Sequence, residues 1–77
     1  MQISSNNIIG KHVRYFDYLD DERFGTIIAI EPYPMDPEVV YVYIEDEDPE
    51  YNVHQDFVNG SLITYAEIRP STEVYPD

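Results

Sequence analysis

Apolar side chains recur at every second position through several short stretches of this chain. Val40, Val42 and Ile44 alternate with Tyr41, Tyr43 and Glu45, the period of a strand with one face in a core and the other toward water. Applied along the whole sequence, the same test predicts strands at 12–16, 25–31, 39–45, 51–53 and 62–68, and a helical turn at 5–9 ahead of Gly10. Turn residues fall in the gaps: a polar stretch at 18–24 ahead of Gly25, then Pro32, Pro34 and Pro37, then Pro49, and the dipeptide Asn59-Gly60. In the last stretch Leu62, Ala66 and Ile68 are assigned to the core, because the opposite choice would bury Glu67 along with Ile63 and Tyr65. Tyr41, Tyr43 and Tyr65 are then left as an outward tyrosine patch. The alternative is packing at one end of the core with only the hydroxyls in water.

Residue type agrees with the pattern. Nine Ile, seven Val and eight Tyr stand against two Leu and two Ala, a choice that suits pleated sheet over helix. Leu, Ile, Val and Phe make up 21 of 77 residues, above the roughly 20% below which a highly charged chain stays unfolded. The expected fold is all-β, a single domain over 1–70 followed by a flexible tail at 71–77. Five short strands in so small a domain would leave unpaired edges if laid out flat, so a small five-stranded barrel is expected. The stretches Ile9-Gly10-Lys11-His12-Val13-Arg14-Tyr15, Gly25-Thr26-Ile27-Ile28 and Ser61-Leu62-Ile63-Thr64-Tyr65-Ala66-Glu67-Ile68 resemble the strand order of SH3-like and Tudor-like barrels. The chain has no tryptophan, so the proline-recognition groove of peptide-binding SH3 domains does not carry over.

Charge changes the picture most. Sixteen acids face four bases, for a net charge of −12, beyond the magnitude of roughly 2–8 that solubility asks of a small domain. Between Phe24 and Ile68 there are ten carboxylates and no Lys or Arg. The densest run, Glu45-Asp46-Glu47-Asp48-Pro49-Glu50, holds five carboxylates in six residues. Six residues span at most about 20 Å, or one charge per roughly 4 Å; one strand of a nucleic-acid duplex carries one per about 3.4 Å. A second cluster, Asp17, Asp20, Asp21 and Glu22, occupies the first loop, and Lys11, Arg14 and Arg23 beside it are expected to pair with it.

Several function classes lose support on these grounds. A face that binds nucleic acid directly needs Lys and Arg to displace phosphate counterions. The acidic run lacks the glycine of an EF-hand loop and has Pro49 at its bend, while His12 and His54 lack zinc-ligand spacing; no cofactor or metal is expected. There is no phosphate-binding glycine loop and no nucleophile elbow, so the chain is not read as an enzyme. No apolar run approaches the length of a membrane span, and with no cysteine the chain reads as soluble and cytoplasmic.

In size, acidity, β character and tyrosines set beside carboxylates, the chain resembles the DNA-mimic inhibitors encoded by phages and mobile elements, including anti-CRISPR and anti-restriction proteins. The resemblance implies a stoichiometric, non-catalytic block of a basic nucleic-acid-binding protein or complex, such as a CRISPR effector, a restriction enzyme or a nucleoid protein. The expected contact residues are Asp20, Asp21, Glu22, Tyr41, Tyr43, Glu45, Asp46, Glu47, Asp48, Glu50 and Tyr65. Carboxylates would take the place of phosphates, with tyrosines supplying packed contacts between them. The alternative is an SH3-like structural or adaptor domain that binds a protein partner, or a second copy as a homodimer, through the tyrosine face.

Overall fold

The structure, a computed structural model, describes residues 8–38, 40–68 and 75–76. It is built of antiparallel β strands with no α-helix among the described residues. β1 (His12–Phe16) pairs with β2 (Glu22–Pro32), and β2 with β3 (Val40–Asp46). β4 (His54–Val58) and β5 (Ser61–Tyr65) form a separate hairpin, and β6 (Tyr75–Pro76) pairs with β1. The order across the larger sheet is β3-β2-β1-β6. The two sheets meet without closing into a barrel. They are joined where the Ala66 amide donates to the Ile44 carbonyl at 2.8 Å and where Asp17 bridges Ile68. No helix among the described residues is long and apolar enough to cross a membrane.

The 11-residue β2 is the spine of the molecule, and a bulge lets it serve the core along its length. Its register against β3 runs Ile27↔Ile44 and then Ala29↔Tyr43, leaving Ile28 as the extra residue. Ile27 and Ile30, three apart, cannot share a face of a regular strand. The extra residue shifts the phase, and both are buried beside Ile44. Val13, Tyr15 and Ala66 complete the core cluster, with Ile8, Val42 and Ile68 packed against it. Gly25 sits where β2 presses closest to β3. A Cβ there would lie 2.5 Å from the Glu45 carbonyl oxygen and 2.6 Å from Ile44 Cγ2, so only glycine allows this register.

Several sequence expectations change. The strand expected at 25–31 runs from Glu22 to Pro32, so 22–24 belong to β2 and not to the loop. The stretch 51–53 is not a strand: Asp48 caps a 3₁₀ turn at Pro49–Tyr51, its carboxylate accepting from the Glu50 amide at 3.1 Å, and the next strand starts at His54. The cause is local, since proline at the first position and an aspartate before it favour a helical turn. The last strand ends at Tyr65 rather than 68. Leu62, expected in the core, is 57% exposed opposite Phe57, whereas Ala66 and Ile68 do reach the core because the chain turns onto β3 after Tyr65. Asn59-Gly60 forms the expected turn with φ of 52° and 83°. Of the helical turn expected at 5–9, residues 5–7 lie outside the described residues, and 8–10 form a bend and turn. Val39 also lies outside them, as does the expected tail apart from β6.

Candidate partner-binding surface

The acidic run is divided by the strand phase. Val42, Ile44 and Asp46 fall on one side of β3, and Asp46 is therefore buried, 3% exposed, against the core. Its carboxylate accepts from the Tyr15 hydroxyl, from Arg23 Nε at 3.1 Å and Nη2 at 2.7 Å, and from the Asp48 amide at 2.9 Å. Asn52 closes the node by accepting from the Asp46 amide at 2.7 Å and donating to its carbonyl at 3.2 Å. The Arg23 guanidinium also lies 3.7 Å from the centre of the Tyr51 ring.

Every shift in this node has a visible cause. Burial pushes the Asp46 carboxyl up, but Arg23, the Tyr15 hydroxyl and the Asp48 amide together outweigh it and hold the group below the usual carboxylate range. Burial, and then the bond to Asp46, pushes the Tyr15 hydroxyl well above the usual phenol value. Asp46 is thus a structural anion with its partners already in place. Its burial corrects the expectation that the whole run is exposed. Asp48 is half-buried as a cap, and Glu45, Glu47 and Glu50 are the carboxylates of the run that face water.

Asp20, Asp21 and Glu22 are exposed. They sit at the same end of the sheet as Glu47, whose amide donates to the Phe24 carbonyl at 3.1 Å. Arg14 pairs with Glu22 at 3.6 Å, as expected, whereas Arg23 turns away from this loop to Asp46. Asp17 organises the loop. Its Oδ1 accepts from the Leu19 amide at 2.9 Å and the Asp21 amide at 3.0 Å, and Asp20 takes the left-handed φ of 66° that the tight turn requires. Asp17 is 2% exposed, and its Oδ2 is buried with no hydrogen-bond partner among the described residues.

The three expected tyrosines come together. Tyr41, Tyr43 and Tyr65 line a groove of about 310 Å³ with Val42, Ala66 and Ile68 between them and with His54 and Glu67. Tyr43 meets Tyr65 edge to face, with centroids 4.9 Å apart and planes at 82°, and His54 stacks on Tyr65 at 5.6 Å. His54 Nε2 is 3.3 Å from Glu67 Oε2. The Tyr43 hydroxyl donates to Glu31, and that bond, with burial adding to it, pushes the hydroxyl well above the usual phenol value. Tyr43 is half-buried and Tyr41 is 51% exposed, so the patch is part wall and part open face.

A second groove, of about 230 Å³, adjoins the first through Ala66 and Glu67. Tyr15, Asp17, Tyr18, Glu50, Tyr51 and Val53 complete its lining. Of these, only Glu50 is among the expected contact residues. The 3₁₀ turn brings Tyr51 here, and the tight loop brings Asp17 and Tyr18; neither element is visible from alternation. Among the described residues no Lys or Arg lines either groove. Among the described residues no three His, Asp or Glu side chains are placed to hold a metal ion. Comparison with family models, with curated proteins and with solved structures finds no match for this chain.

Proposed function

We propose that this protein is a non-catalytic binding module that occupies the basic surface with which a partner protein or complex holds nucleic acid, as phage-encoded anti-CRISPR and anti-restriction inhibitors do, in the cytoplasm of the cell. The observation that carries this reading is the pair of adjoining grooves, lined among the described residues by tyrosines and carboxylates and by no Lys or Arg. Glu50 lines the second of them, and Glu45 and Glu47 of the same run are also exposed. Such a surface attracts Arg and Lys at long range and gives them aromatic faces and carboxylates to settle on at contact. For the fold, we propose a partly open SH3-like barrel, supported by the tie from Ala66 to Ile44 and by the bridge from Asp17 to Ile68.

Capture from a bacterial lysate at low salt tests the function. The expected catch is a nucleic-acid-binding protein that is released by high salt and displaced by added DNA or RNA. Recovery of a partner that neither nucleic acid nor salt displaces would overturn the reading.

A second reading has its own support. Phe57 and Leu62 face each other across the hairpin at 72% and 57% exposure, and Tyr41 is also open. An SH3-like adaptor domain that binds a protein, or its own copy, would use such a face. Sedimentation of the purified chain separates the two: a dimer that dissociates on Leu62→Ser favours the adaptor, and a monomer at high concentration favours the inhibitor.

A further inference from the structure

The smaller groove contains a buried carboxyl group that the fold leaves half satisfied. Asp17 Oδ1 is used by the Leu19 and Asp21 amides, but Oδ2 is buried with no partner among the described residues. Buried carboxylate oxygens are ordinarily hydrogen-bonded, and a chain that meets this need at Asp46 with four donors leaves it unmet at Asp17. Asp17 lines the groove together with Tyr18, Tyr51, Glu50 and Glu67. Rings and carboxylates therefore converge on one small cavity.

We propose that this groove receives a single arginine side chain from the partner, its guanidinium paired with Asp17 and held against the tyrosine rings. The inference rests on the inhibitor reading and names the chemical group that the surface takes. Three properties of the site select this occupant. At about 230 Å³ the groove is smaller than the roughly 300–1,000 Å³ of pockets for drug-sized ligands, which suits one side chain. Its carboxylates select a cation, and its rings select the planar, weakly hydrated guanidinium over an ammonium ion. The chain also shows the same chemistry internally, where Arg23 is paired with Asp46 and lies 3.7 Å from the centre of the Tyr51 ring.

The test is a titration of the ¹⁵N-labelled full chain with the blocked peptide acetyl-Gly-Arg-Gly-amide, alongside its citrulline and lysine counterparts. The arginine peptide is expected to move the Leu19 and Asp21 amides saturably, because both donate to Asp17. The citrulline peptide should bind at least ten-fold more weakly, and the lysine peptide should fall between. Asp17→Asn keeps an oxygen for the two amides and removes the charge; it should weaken arginine binding at least ten-fold without lowering the melting temperature. Tyr18→Ala, at an exposed position, should weaken it several-fold and carries the test if Asp17→Asn fails to fold. Arginine binding that is unchanged in a folded Asp17→Asn or in Tyr18→Ala, or shifts confined to Glu45, Glu47 and Glu50, would overturn the proposal. A partner displaced by nucleic acid together with unmoved Leu19 and Asp21 amides would overturn this pocket and leave the inhibitor reading standing. Localised arginine binding without such a partner would support the pocket and remove that reading.

Discussion

Two clusters of tyrosine and carboxylate lie on this small protein, and they differ in whether a cation belongs to them. Around Asp46 the cation is the chain's own: Arg23 bonds the carboxylate with two nitrogens, the Tyr15 hydroxyl adds a third bond, and Tyr51 covers the guanidinium. Around Tyr43 and Tyr65 the Tyr43 hydroxyl again meets a carboxylate, Glu31, and Glu67 shares the groove, but among the described residues no Lys or Arg is in the lining. The same chemistry is closed in one place and open in the other. Closure at Asp46 follows from strand phase, which aims that side chain into the core and toward Arg23 on the neighbouring strand. An acidic run is therefore not a uniform surface: one of its members holds the fold together, and three of them face water.

The largest effect that would sharpen this contrast is at the closed cluster. Asp46→Asn leaves the half-buried Arg23 without its counter-charge and weakens the bonds that Arg23, Tyr15 and Asp48 make to it, and loss of hydrogen bonding to a charged group costs about 2 kcal/mol or more. A domain of 77 residues has a total stability on the order of 4–12 kcal/mol, so urea denaturation should show a large fall in midpoint. Glu45→Gln and Glu47→Gln, at exposed positions, should stay within about 0.5 kcal/mol of wild type. Equal losses at all three positions would erase the distinction.

Acid should act through the same group. Because the folded Asp46 carboxyl is held below its ordinary value, its contribution is present above the unfolded pKa of about 3.9 and is lost as pH falls through the lower folded value. Denaturation followed by circular dichroism should therefore show stability falling below about pH 4. Asp46→Asn should flatten that part of the profile, and an unchanged slope would remove Asp46 as its cause.

A smaller effect is expected at the open cluster. Tyr43→Phe keeps the ring against Tyr65 and removes the bond to Glu31, at a cost of about 1 kcal/mol in stability. Partner affinity should change little, since the ring remains. A loss of stability comparable to that of Asp46→Asn would show that the open groove is as structural as the closed node.

Much of this was legible in the residues. Alternation located β1 to the residue and placed β3 within one residue at each end, and Asn59-Gly60 marked the hairpin turn. It also gathered Tyr41, Tyr43 and Tyr65 on a common surface, which the first groove shows. The inward aim of Asp46 was available from the same alternation, because it continues the positions of Val42 and Ile44; the charge of its neighbours argued the other way. The bulge at Ile28 was not legible, since the phase shift is decided by packing of Ile27 and Ile30 against β3. Nor was the second groove. It depends on a 3₁₀ turn and a five-residue loop, at 17–21, that bring Tyr51 and Tyr18 together from distant parts of the chain.

The claim that the outward glutamates and open grooves serve a basic partner is tested most directly by the salt dependence of association. The captured partner should be measured against wild type and against the variant carrying Glu45→Lys, Glu47→Lys and Glu50→Lys, a change confined to exposed positions. As ionic strength rises from about 0.1 M to about 1 M, the Debye length falls from about 10 Å to about 3 Å. The wild-type association rate should drop steeply over that range, and the variant should associate slowly at every salt concentration. A flat salt response in the wild type, with the variant binding equally fast, would contradict the account.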